Sequence, residues 1–182
     1  MTRLDAHLPV FDVQEVHQRR IAAPPEAVWA ALTAITLGDL TLTQALVRVR
    51  QLGVDPDRPD RPLFEAGPVA VLHVEPGAYA VGGAVAQPWR LHPPRHPIAS
   101  LRDLEAFAEP GWAKYLTDWE LLPDRRGTLL RTTTRVVCTD RWSRRAFRCY
   151  WLLIRAGSGL VRRDVLRSTA RAATRQPKEE NR

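Results

Sequence analysis

IAAPPEAVWAAL, residues 21–32, joins an extended run to a helix and sets the order of elements for the rest of the chain. Ahead of it, Val10 to Arg20 mixes β-branched and polar residues without proline or glycine, as a strand does. Behind it, Pro24 and Pro25 suit a first helical turn, where N–H groups have no intrahelical partner, and Glu26 complements the positive end of the helix dipole. Val28, Leu32 and Ile35 recur at i, i+4 and i+7, with Trp29 and Ala31 widening the stripe. A helix with one apolar face must be buried against a second layer.

Downstream, Leu40 to Leu52 keeps Leu42, Leu46 and Val49 at helical spacing, which favours a second short helix. DPDRPDRP, residues 55–62, reads as an exposed loop. Val69 to Val74 and Tyr79 to Val85, joined by Pro76 and Gly77, predict a hairpin. Leu91 to Pro97 holds three prolines and reads as a loop, and a short helix spans Leu101 to Phe107 before Pro110 and Gly111. In Trp112 to Leu122, Ala113, Tyr115, Thr117, Trp119 and Leu121 share one face, opposite Lys114, Asp118 and Glu120. PDRRG, residues 123–127, turns the chain, and Thr128 to Thr139 sets Leu130, Thr132, Thr134, Val136 and Cys138 against Arg131, Thr133 and Arg135. The first set of each strand is expected to point inward, in an antiparallel sheet with one wet face.

From Asp140 onward a long helix is expected to cover that sheet. Phe147, Trp151, Ile154, Val161 and Val165 form its apolar stripe, and Arg141, Arg148, Arg155 and Arg162 recur every seven residues as a solvated face. Gly157 and Gly159 flank Ser158, and each costs about 1 kcal/mol relative to alanine, so a kink or brief interruption is expected there.

The chain has 182 residues, 45% of them apolar, enough for one domain over residues 1–175 with a frayed polar tail at 176–182. No apolar run has the length of a signal peptide or a membrane span, so a cytoplasmic location is the expectation. Cys138 and Cys149 match no zinc or redox spacing and read as reduced packing residues, which excludes a disulfide scaffold. The net charge is +7, with ten arginines against two acids between Asp140 and Arg175. Such a face attracts phosphates, and contact with a membrane surface through these arginines is one expectation. High usage of arginine, alanine and proline throughout the chain weakens both the membrane-surface and the nucleic-acid reading of these arginines, and no nucleic acid is expected.

Of the five histidines, His92 and His96 have helical metal-ligand spacing, but Pro93, Pro94 and Pro97 forbid the helix; no metal is expected. His73 and Glu75 lie two apart on a strand and share a face, as exposed residues or as an acid–base pair. No nucleophile elbow, phosphate-binding glycine loop or dinucleotide fingerprint occurs, and no cofactor is expected.

IAAPPEAVWAAL, PGAYAVGGAVAQPWR at residues 76–90, Pro110 and Gly111 leading into a strand, and YWLLIRAGSGLVRRDVLR at residues 150–167 together resemble the START and birch-pollen-allergen-like superfamily, SRPBCC. The resemblance spans nearly the whole chain. It implies an α+β helix-grip fold, in which a curved antiparallel sheet wraps a long carboxy-terminal helix, with short helices after the first strand. It also implies a cavity between sheet and helix for a small apolar molecule. In the bacterial branch it is most similar to, charged residues often follow the Pro-Gly turn and a glutamate sits mid-strand; here those positions hold Ala78, Tyr79 and Thr133.

Three functions follow as expectations. The first is binding or transport of a small hydrophobic ligand, lipid-like or polyketide-like, by Trp89, Tyr115, Thr117, Trp119, Thr132, Thr134, Trp151 and Ile154, whose aromatic bodies and hydroxyls suit an apolar molecule with one or two oxygens. The second is a cofactor-free cyclase or dehydratase, which requires His73 or Tyr79 to point inward beside a carboxylate. The third is a basic surface module for anionic lipid or nucleic acid. A monomer or a homodimer suits each.

Overall fold

Strand β1, Val13–Ile21, runs through the proline pair into helix α1, Pro25–Ala34, in a computed structural model that describes residues 2–40, 43, 60–67 and 69–175. Pro24 is extended and accepts the first helical bond from the Val28 N–H, so the prolines start the helix where their missing donors cost nothing. There follow α2 (Leu63–Ala66), β2 (Ala70–Glu75), β3 (Tyr79–Ala86), β4 (Arg95–His96), α3 (Leu101–Ala106), β5 (Ala113–Asp124), β6 (Gly127–Cys138) and α4 (Arg141–Arg175). All but Leu40 and Thr43 of the helix expected over Leu40 to Leu52, most of the loop at 55–62 and the tail at 176–182 lie outside the described residues. Among the described residues no helix is long and apolar enough to cross a membrane.

The sheet is antiparallel, in the order β1-β6-β5-β3-β2, with β4 also on β3. Part of the stretch expected to be loop is therefore strand: Arg95 and His96 pair with Ala86 and Val85 between the prolines. The sheet is curved, and α4 packs on one face. Register aligns the inward residues in rows across the strands. Glu15, Thr134, Thr117 and Gly82 form one row. His17, Thr132, Trp119 and Ala80 form the next.

The second face of the sheet is covered over β3, β5 and β6, while Val16 on β1 and His73 on β2 stay exposed toward its edges. Leu116, Asp118, Thr133 and Arg135 are 0%, 1%, 0% and 4% exposed. Leu4 and Leu8 from the amino-terminal segment and Leu104 and Phe107 from α3 pack there on Tyr79, Val81, Val85 and Leu116. Gly83 makes the close approach possible, because a Cβ at that position would lie 2.6 Å from Leu104 Cδ1. Arg135 is tolerated beneath this layer because it is well paired. Its guanidinium donates to Asp5 Oδ1, Thr2 Oγ1, the Leu8 carbonyl and Gln14 Oε1.

Helix α4 is capped by Asp140, whose Oδ1 accepts from the Ser143 N–H at 2.7 Å and whose Oδ2 accepts from the Gly111 N–H. It runs without interruption through Gly157, Ser158 and Gly159, contrary to the expected break. Arg162 Nη1 donates to Ser158 Oγ across that turn, and Gly159 is buried over His17. These contacts offset the glycines' propensity cost. The expected solvated arginine face also needs correction: Arg141, Arg148 and Arg155 are exposed, but Arg162 turns toward the sheet. Cys138 is buried, and burial pushes its thiol up to about 12, whereas Cys149 is exposed, not the packing residue expected.

Two predictions come from the covered face. Leu4→Ala should cost about 2–5 kcal/mol of unfolding free energy in urea titration, as for any fully buried leucine, whereas a dispensable amino terminus would leave stability unchanged. The second concerns Asp118, whose carboxyl burial pushes up to about 6 despite the bond it accepts from the Thr133 N–H. An unfolded aspartate ionises near pH ~3.9, so between about pH 4 and 6 the native state binds more protons and stability falls as pH rises, levelling above 6. Asp118→Asn should remove this slope and raise stability at neutral pH by on the order of 2–3 kcal/mol. Parallel pH–stability curves for the two proteins would refute it.

Candidate ligand cavity

The inner face does not carry one continuous core. At one end Ile21, Leu121 and Leu130 pack with Val28 and Leu32 of α1 and with Leu166, Ala170 and Ala173 of α4, where small side chains let the two helices approach. At the other end Ala113, Val136 and Cys138 pack with Phe147, flanked by Tyr115, Tyr150 and Trp151. The rows between the two clusters carry Thr117, Thr132 and Thr134 where larger aliphatic side chains would join them, and β3 contributes only Ala80 and Gly82 there. A cavity of about 210 Å³ remains.

Its floor is Tyr115, Thr117 and Trp119 of β5 with Thr132 and Thr134 of β6. Leu32 and Ile35 of α1, Leu63 and Phe64 of α2, and Val69 wall one side, and Val161, Arg162 and Val165 of α4 form the roof. Phe64 lies 5.0 Å from Trp119 between ring centroids and 6.4 Å from Trp29. The lining is largely apolar, with the Tyr115 and Thr132 side chains on the floor and a cluster of polar groups at one corner.

That corner is a connected polar array. Arg162 Nη2 donates to Thr134 Oγ1 at 2.5 Å, and Thr134 Oγ1 lies 2.7 Å from Thr117 Oγ1. Arg162 Nη1 donates to Ser158 Oγ at 2.7 Å and stands 3.7 Å from Glu15 Oε2. The same carboxylate lies 3.8 Å from His17 Nε2. Burial lowers the pKa of Arg162, against the opposing pull of Glu15, but an arginine remains charged in proteins. Burial likewise lowers the pKa of His17, so its imidazole is neutral at pH 7. The two threonine hydroxyls share one hydrogen bond between them, which leaves one O–H proton uncommitted whichever of them donates. Arg162 Nε is buried without an acceptor. The corner therefore has donors to spare and suits an acceptor oxygen.

Tyr115, Thr117, Trp119, Thr132 and Thr134 all line the cavity. Trp89, Trp151 and Ile154 do not. Trp151 stacks on Phe147 at 5.9 Å within the neighbouring core, and Trp89 meets Trp142 edge-on at 5.8 Å. Ile154 is half-buried about two turns from Val161, the first residue of the helix in the lining. His73 and Tyr79 lie on the opposite face of the sheet. His73 is half exposed, 3.5 Å from Glu75 Oε1, and Glu75 is held in turn by Arg3. Tyr79 is buried with the Arg3 guanidinium 4.3 Å from its ring centroid, and burial raises its hydroxyl pKa. Neither reaches the cavity. Among the described residues no group of His, Cys, Asp or Glu side chains could hold a metal ion.

Arg162 escaped sequence reasoning because it completes a heptad series with Arg141, Arg148 and Arg155. A straight helix drifts roughly 20° per heptad, so three heptads turn Arg162 about 60° out of line with Arg141. Its place beside Val161 and three before Val165, both in the apolar stripe, was the available signal.

No family model matches the sequence, and no curated protein matches it. Among solved structures the chain is similar to a protein from Mesorhizobium loti, with 18% identity and a TM-score of 0.46 over 90% of this chain and 98% of that one. It is also similar to an uncharacterised protein from Rhizobium leguminosarum, with 13% identity and a TM-score of 0.41 over 87% of this chain and 95% of that one. A Chromobacterium violaceum protein matches with 14% identity and a TM-score of 0.39 over 88% of this chain and 96% of that one.

Proposed function

We propose that this chain is a cytoplasmic binding protein of the START and birch-pollen-allergen-like superfamily, and that its ligand is a small apolar molecule with one acceptor end. The observation that carries the proposal is the cavity itself, which separates two packed clusters and is largely apolar, with its one cation at the Arg162 corner. An unfilled volume of this size forfeits stability, on the order of 24 cal/mol per Å³ in measured cavity series, and a ligand recovers it. An engineered cavity of about 150 Å³ accepts benzene, so this one suits a single substituted ring or a short aliphatic chain. The order of strand, helices, meander and long helix supports the superfamily assignment, and two free cysteines fit a reducing compartment. The cyclase reading named His73 or Tyr79, and both lie on the far face, away from the cavity.

Native mass spectrometry of the purified protein, with organic extraction, should find a substoichiometric or stoichiometric apolar passenger. Val165→Trp fills the roof and should abolish both the passenger and the quenching of Trp119 by added ligands. If ligand binding survives in this variant, the cavity is not the site. Arg162→Met should weaken ligands with an acceptor oxygen by roughly 10- to 100-fold, the worth of a charged hydrogen bond, while a hydrocarbon of the same shape binds unchanged. Equal losses for both ligands would show that Arg162 serves packing alone.

A further inference from the structure

We propose that the solvent-facing side of α4, from Arg141 to Arg167, docks on an anionic lipid surface. The inference is independent of the cavity. Trp142, Leu152, Leu153 and Leu160 are 59%, 72%, 82% and 42% exposed on this helix. A scattered exposed leucine needs no explanation, but these lie together. At 100° per residue, Trp142, Cys149, Leu153, Ala156 and Leu160 fall within a wedge of about 60° on the side away from the sheet. Leu152 and the exposed Arg141, Arg145, Arg148 and Arg155 follow along one flank, and the exposed Arg163 and Arg167 extend the basic surface past the apolar wedge. The one acid within the helix, Asp164, is 2% exposed and accepts from Thr43, so it does not temper the field of this face.

The charge pattern selects the occupant. A second copy packed through the same face would set arginine against arginine with no carboxylate on either side, which electrostatic complementarity forbids. Nucleic acid would satisfy the arginines but leave Trp142 and three leucines without apolar contact. An anionic bilayer satisfies both sets: phosphates meet the guanidinium groups, and the tryptophan and leucines enter the boundary between headgroups and acyl chains. Arginine is suited to this because its guanidinium engages phosphate oxygens in bidentate fashion while its stem lies on apolar surface. The helix has no need to cross the membrane. It lies flat on the surface, with the sheet and cavity above it.

Vesicle flotation with the full chain tests the proposal, using phosphatidylcholine vesicles with and without phosphatidylglycerol. The wild type should float with the anionic vesicles only and detach as salt is raised. Arg145→Gln, Arg148→Gln and Arg155→Gln combined should weaken binding on the order of a hundredfold, at about 1 kcal/mol for each arginine. Leu152→Ser with Leu153→Ser should weaken it at least roughly tenfold. All five positions are exposed, and circular dichroism of each variant should match the wild type. No binding to anionic vesicles, or equal binding to neutral ones, overturns the proposal. So does a leucine variant that binds as well as the wild type, the behaviour expected of a phosphate-only contact such as nucleic acid. Lipid-free dimerisation that the leucine variant abolishes would likewise overturn it, by assigning the face to a second copy.

Discussion

A sheet face sealed by a helix closes into one apolar core unless some inward positions are held polar. In this chain the holding interaction is the line of hydrogen bonds from Arg162 through Thr134 to Thr117. Register places Thr134 between Glu15 and Thr117, so the guanidinium finds its acceptors without distorting any strand. A buried arginine costs several kcal/mol in desolvation unless its donors are met, and here hydroxyl groups on the sheet and on its own helix take Nη1 and Nη2 while Nε stays without an acceptor. Larger aliphatic side chains at 117 and 134 would join the two inner clusters and leave Arg162 without partners. The cavity and the buried charge therefore require each other.

The outer face obeys the same constraint with a different outcome. Arg135 is more deeply buried than Arg162, but four acceptors surround it, and the amino-terminal segment that supplies three of them also brings Leu4 and Leu8 onto the sheet. Asp118 and Thr133 sit beneath that cover, with Glu120 and Arg131 paired at its edge. The sheet thus has two faces of unlike character: one covered at its centre around a fully paired Arg135, one left open around a guanidinium with donors in reserve.

The alternation in β5 and β6 was fully legible, because a period of two assigns each side chain to a face before any partner is known. It named Tyr115, Thr117, Trp119, Thr132 and Thr134 as inward. It did not show that the other face would also be covered, since Leu4 and Leu8 are two leucines in an otherwise polar stretch and their partners lie more than seventy residues away in sequence, by the separation of Leu4 from Tyr79. Trp89 and Trp151 have the residue type of a cavity wall, but Trp142 and Phe147 respectively take up their rings; pocket and core differ in packing, which residue type does not record. Arg162 was misplaced by a period of seven where the helix turns every 3.6 residues.

Helix α4 carries different surroundings along its length, which explains its otherwise awkward composition. Its carboxy-terminal half is narrow, with Ser168, Thr169, Ala170 and Ala173 buried where α1 and neighbouring chain press on it. Its middle faces the cavity, where Val161 and Val165 supply apolar roof and Arg162 the single cation. Toward its amino terminus one side is packed by Phe147 and Trp151 while the other has no protein cover. A helix that served only as a lid would gain nothing from Leu152 and Leu153 in water, since exposed leucines add no burial and favour association. A helix that served only as a charged surface would have no use for a guanidinium directed into the interior. Because the amino-acid pattern keeps both features on separate sides of one rigid rod, a contact made on the outer side is mechanically continuous with the roof of the cavity.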